Sequence, residues 1–141
     1  MPIYETANDR LRQTNALDRF VRLNPGLWEK WVPSGPLQKY DALIYDSIGR
    51  VNAIVEVKYR NNAKDKYPTY QIDKTKIDFL MNVPCQAFLL VSWDGDLHYL
   101  NLEKFPKKNP FPTTIAKRKD RAGEEPDVQY LIPTEEFVRI L

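Results

Sequence analysis

A chain of 141 residues with 43% hydrophobic and 12% aromatic content is long enough for one domain with a real core and too apolar for a disordered one. A net charge of +2 does not by itself announce nucleic-acid binding, and the single cysteine, Cys85, excludes an internal disulfide and a Cys-rich zinc site. No apolar run approaches a membrane span and no secretion leader is expected, so the anticipated setting is a reducing cytoplasm with no membrane partner.

In chain order, residues from about Thr6 to Leu23 read as a helix. Asp9, Gln13, Ala16, Leu17 and Phe20 share one stripe, with Glu5 near its edge. Asn24-Pro25-Gly26 stops it. Leu27 to Val32 reads as a short strand, and Pro33-Ser34-Gly35-Pro36 as a turn. Gln38 to Asp46 and Val51 to Tyr59 read as a hairpin, and Asn61 to Pro68 as a polar loop. Thr69 to Asn82 is expected to be a second helix, with Ile72, Lys76, Ile77 and Leu80 along one side. Gln86 to Trp93 is a dense apolar strand, Asp94-Gly95 a hairpin turn, and Asp96 to Leu102 the strand after it. Beyond lie a Pro- and Lys-rich excursion from Phe105 to Pro126, a short strand near Val128 to Ile132, and a helix started by Thr134 with Glu135 and Glu136 in its first turn.

The first hairpin carries the chemistry. With Ile48-Gly49 as a two-residue tip, Asp41 falls directly opposite Glu56. Opposed residues share a face with Cβ atoms roughly 4.5–5.5 Å apart. Lys58 and Arg60 follow Glu56 on that face at period two. The other face carries Ala42, Ile44, Ala53, Val55 and Val57, all apolar. A slip of one residue would scramble both rows, so the pattern itself selects the register. Two acids so placed repel unless a cation joins them, and a lysine stands beside them.

An acid, then Glu-x-Lys, on a central hairpin resembles the PD-(D/E)XK nuclease superfamily, and Asp41, Glu56 and Lys58 carry the resemblance. Tyr40 stands where the family name has Pro. The element order over about residues 5–102 is similar to the family's αβββαβ core, and the tail looks like small phage-type and resolvase-like members. The resemblance implies an α/β, restriction-endonuclease-like fold with a mixed sheet flanked by helices, one nuclease-like domain over 1–141, with 103–141 appended to the core. It implies a Mg²⁺-dependent DNA endonuclease of a bacterial or phage-infected cell, with Mn²⁺ able to substitute. Asp41, Glu56 and the Val57 carbonyl would hold the metal, and Lys58 would act on the attacking water or the phosphate. In this fold the first helix supplies an accessory group, for which Gln13, Glu5 and Asp9 are candidates, and in resolvase-like members a helix lysine points at the site, here Lys76. An inactive nucleic-acid-binding or assembly protein of the same fold is the alternative.

Double-stranded or branched DNA is the expected partner, with a homodimer as one way to double the contact area. Arg60 could contact a neighbouring phosphate. From Lys104 to Arg121 the chain holds seven basic residues and one acid, so Lys117, Arg118, Lys119 and Arg121 are candidate backbone contacts. His98, alone in a strand, reads as structural, and Cys85 as a small core residue. No Gly-rich phosphate loop appears, so no nucleotide cofactor is expected.

Overall fold

The computed structural model describes residues 7–35, 38–116 and 127–141. Its elements are α1 (Ala7–Val21), β1 (Lys30–Pro33), β2 (Ala42–Tyr45), β3 (Val51–Arg60), β4 (Thr69–Asp73), α2 (Lys74–Met81), β5 (Gln86–Trp93), β6 (Asp96–Asn101), β7 (Thr113–Ala116), β8 (Asp127–Pro133) and β9 (Val138–Arg139). Six strands form one sheet in the order β1-β2-β3-β5-β6-β9, and β4-β8-β7 form a second. In the large sheet β3 and β5 are parallel and their neighbours antiparallel, so the sheet is mixed. With α1 first and α2 before β5, this is the α/β, restriction-endonuclease-like arrangement.

The alternation of β3 divides the core. Ala53, Val55 and Val57 point to one face and pack with Ala42 and Ile44 of β2 and with Ala16, Leu17 and Phe20 of α1. The opposite face carries Ile54, and it is covered by α2 through Ile77, Leu80 and Met81 and by the second sheet through Tyr70, Ile72, Tyr130 and Ile132. The large sheet is therefore sandwiched between α1 and a layer made of α2 and the small sheet. No helix among the described residues is long and apolar enough to cross a membrane.

Three expectations are corrected. Thr69 to Asn82 is not one helix: Thr69–Asp73 pairs with β8, and the helix begins only at Lys74. Asp73 ends the strand and caps the helix, its carboxylate accepting from the Thr75 N–H at 3.4 Å. Thr134 starts a single 3₁₀ turn rather than a helix, because Phe137 and Ile140 must then drop into opposite layers of the core. The tail is not an appendage either. Phe111 is buried among Phe105 and Tyr130, and β7 and β8 complete the second sheet.

The hairpin tip also differs. The Asp46 carbonyl accepts from Gly49 N–H at 3.1 Å and the Asp46 N–H donates to the Arg50 carbonyl at 2.9 Å, which makes a three-residue loop. Gly49 takes φ +82°, the left-handed conformation this loop needs. Tyr45 consequently pairs with Val51, and a bulge at Asn52 returns Ile44 to Ala53. The loop adds one residue and the bulge absorbs it.

Candidate active site

Past the bulge the ladder runs Ile44 with Ala53, Leu43 with Ile54 and Ala42 with Val55, so one step further Asp41 faces Glu56. The Asp41 N–H donates to the Val55 carbonyl at 2.9 Å, which keeps Asp41 in the ladder just before β2 starts. Its side chain then takes over from the ended strand: the Val57 N–H donates to Asp41 Oδ2 at 2.7 Å. N–H and C=O of a strand residue point the same way, so the Val57 carbonyl also faces this gap at the edge of β2.

Glu56 is 4% exposed, a rare state for a carboxylate without compensation. Burial pushes its pKa from 4.5 up to about 7, and the neighbouring Asp41 carboxylate adds to the rise. Lys58 and Lys76 act in the opposite direction. Lys58 Nζ lies 3.4 Å and Lys76 Nζ 3.5 Å from the same oxygen, Glu56 Oε2. Lys58 comes from two residues along β3, whereas Lys76 reaches across from the first turn of α2. The Lys76 ammonium is anchored by a hydrogen bond to the Lys39 carbonyl at 2.6 Å. Lysine on the apolar side of α2 is thus explained by the charge it meets.

The arrangement is two carboxylates and a carbonyl gathered at a strand edge, with two cations on one carboxylate. Such hard oxygen donors could hold a cation of the Mg²⁺ kind. Among the described residues no third His, Cys, Asp or Glu joins Asp41 and Glu56.

The other candidates separate. Gln13 is half-buried on α1, and the residues that α1 buries pack on the sheet face opposite Glu56. No hydrogen bond joins its amide to Asp41 or Glu56. Asp9 pairs with Arg12, whose guanidinium lies 4.6 Å from the Tyr59 ring centroid. Glu5, Lys117, Arg118, Lys119 and Arg121 lie outside the described residues. Arg60 extends the Glu56 and Lys58 row, and its guanidinium is held in place. It donates to the Tyr59 carbonyl and to the Tyr70 hydroxyl, both at 2.9 Å, and lies 4.7 Å from the Tyr70 ring centroid. His98 is buried edge-on against Trp93, with ring centroids 5.4 Å apart, and burial lowers its pKa.

Sequence reasoning missed the partner of Arg60. Tyr70 enters only because β4 is a strand whose inward residues are Tyr70 and Ile72, and a helical reading of that stretch hides it. Trp28 and Trp31 belong to the core, where Phe20 and Phe88 pack on Trp28 and Trp31 Nε1 donates to Asp18 at 2.7 Å.

No curated protein and no solved structure matches this chain. A family model described as "Phage putative PDDEXK endonuclease" matches residues 1–140. With Asp41, Glu56 and Lys58 standing together on the hairpin of a mixed-sheet α/β fold, and with that match over nearly its whole length, the chain belongs to this phage PDDEXK endonuclease family.

Proposed function

We propose that the protein is a Mg²⁺-dependent DNA endonuclease that hydrolyses phosphodiester bonds at Asp41, Glu56 and Lys58. The observation that carries this reading is the buried Glu56 carboxylate, opposite Asp41 and with two lysine ammoniums within 3.5 Å of one oxygen. A purely structural site would gain by replacing such a group with an apolar one. Asp41, Glu56 and the Val57 carbonyl are the residues that would hold the metal, and their all-oxygen chemistry fits a hard divalent cation. When bound, that cation neutralises charge on the phosphate and makes a water more acidic.

The chain's own groups do the rest. The ion pair with Glu56 positions Lys58, whose side chain is 37% exposed and so can meet a phosphate oxygen. Its positive charge then stabilises the extra negative charge that develops when water adds to phosphorus and the P–O ester bond breaks. Lys76, held by the Lys39 carbonyl, limits the cost of keeping Glu56 ionised. The Asp41 link to Val57 N–H fixes the carboxylate before any ligand arrives, which lowers the ordering needed on binding.

Incubating plasmid and branched DNA with the protein in Mg²⁺, in Mn²⁺ and in EDTA tests the proposal. Cleavage is expected with either ion and none in EDTA, and Asp41→Asn should abolish it. A folded protein that cuts neither DNA with either ion would refute it.

A further inference from the structure

Beside the carboxylates, along the same strand, lies a second site. Arg60, Asn62, Lys64, Tyr67, Gln71 and Gln129 are among the residues that line a cleft of about 510 Å³. That is within the range of roughly 300–1,000 Å³ typical of small-ligand sites. Glu56, Lys58 and Arg60 alternate on one face, which puts Arg60 about 13 Å from Glu56 at roughly 3.3 Å per residue. The cleft is therefore the continuation of the active-site row.

Its lining has a definite chemistry. Among the described residues it carries two cations and no carboxylate, which suits an anion. Arg60 spends two donors on Tyr59 and Tyr70, and a guanidinium has about five, so several remain. Tyr67 is 54% exposed, and Lys66 Nζ lies 5.5 Å from its ring centroid, which leaves the other ring face for a base. Gln129 lies opposite Asp73, which places it diagonally from Gln71 on one face of the small sheet. Neither glutamine amide hydrogen-bonds another described residue. Each can both donate and accept.

We infer that this cleft receives a single unpaired nucleotide of the DNA strand: its phosphate against Arg60 and Lys64, its base on Tyr67, and the base edge met by Gln71 and Gln129. The inference rests on the reading that the protein binds and cuts DNA. The space admits one nucleotide and not a duplex, and a base still paired in a duplex presents no free face to Tyr67. The favoured substrate is then DNA with unpaired nucleotides, such as a flap, a bulge or a single strand.

Fluorescence anisotropy in EDTA, with a single-stranded oligonucleotide and a blunt duplex of equal length, tests this apart from catalysis. Wild type, Tyr67→Ala and the double variant Gln71→Ala/Gln129→Ala are compared at matched melting temperature. Loss of one base–aromatic contact should weaken single-strand binding by about five-fold or more, with duplex binding unchanged. Equal weakening of both DNAs, no weakening of either, or no single-strand binding at all would overturn the inference. Plasmid cleavage in Mg²⁺ is measured in parallel. Tyr67-dependent binding by a protein that cuts nothing would refute the nuclease reading alone. Cleavage by a protein whose single-strand binding ignores Tyr67 would refute the cleft alone.

Discussion

Replacing Glu56 by Gln should remove the pH dependence that this carboxylate imposes on folding. Glu56 ionises at its ordinary value of 4.5 in the unfolded chain and near 7 in the folded one. Between those values the folded state keeps a proton that the unfolded state has released, so stability falls as pH rises and levels off above about pH 7. At about 1.4 kcal/mol per pH unit, the gap from 4.5 to about 7 amounts to about 3 kcal/mol. Gln has the same shape and no charge, so the variant should lack this loss. His98 acts in the opposite sense: its pKa is lowered by burial, so its contribution grows as pH rises toward its unfolded value. Both proteins contain His98, and the difference between them cancels it.

The measurement is urea unfolding of wild type and Glu56→Gln in EDTA at about pH 5 and about pH 8. Near pH 5 the two should be close. Near pH 8 the variant should be more stable by about 3 kcal/mol. Parallel stabilities across this range would show that Glu56 is not held at a raised pKa, and the argument for a destabilised, ligand-ready carboxylate would fall with it.

Mg²⁺ or Mn²⁺ should raise the melting temperature of the wild type by relieving repulsion between Asp41 and Glu56, with a gain of about 2.7 kcal/mol at about a hundred-fold excess over Kd, and Glu56→Gln should lose most of it. An unchanged melting curve with both ions would count against the metal site. Phe111→Ala should destabilise the fold by about 3–5 kcal/mol in chemical denaturation, because the ring is 7% exposed and packs on Phe105 and Tyr130. A loss well under about 1 kcal/mol would contradict the packing of Phe111 into the core. Replacing Lys117, Arg118 and Lys119 together by Ala should weaken DNA binding across sequences and flatten the log–log salt slope by up to about one unit per lost contact, read from affinities over a salt series. An unaltered slope would take Lys117, Arg118 and Lys119 out of the DNA path and leave the backbone contacts to the Arg60 and Lys64 side.

The Asp41–Glu56 pairing was legible because two apolar rows flank it. Ala42, Ile44, Ala53 and Val55 tolerate only one register, and that register survives a misplaced turn because the bulge at Asn52 cancels the extra loop residue. Lys76 was legible because a charge on an apolar helix side needs a partner, and Glu56 is that partner. The strand Thr69–Asp73 was not. Ile72, Lys76, Ile77 and Leu80 satisfy helical spacing, and no Gly or Pro separates strand from helix; what decides is pairing with β8, more than fifty residues on. The cleft beside Arg60 was hidden for the same reason, since its two glutamines meet only through that pairing. The C-terminal segment shows tertiary override of a local signal: Thr134-Glu135-Glu136 is a good helix start, but burying Phe137 on one side of the sheet and Ile140 on the other needs an extended chain.

The most direct test is Lys58→Ala, compared with wild type in a plasmid cleavage time course in Mg²⁺ and in DNA binding without cleavage. Lys58 is part-exposed, so the variant should fold normally. Cleavage should fall by at least about a hundred-fold, the lower range for losing one preorganised electrostatic group, while DNA affinity and the metal-induced rise in melting temperature persist. Near-normal cleavage by this variant would contradict the account, since Lys58 would then have no part in the reaction.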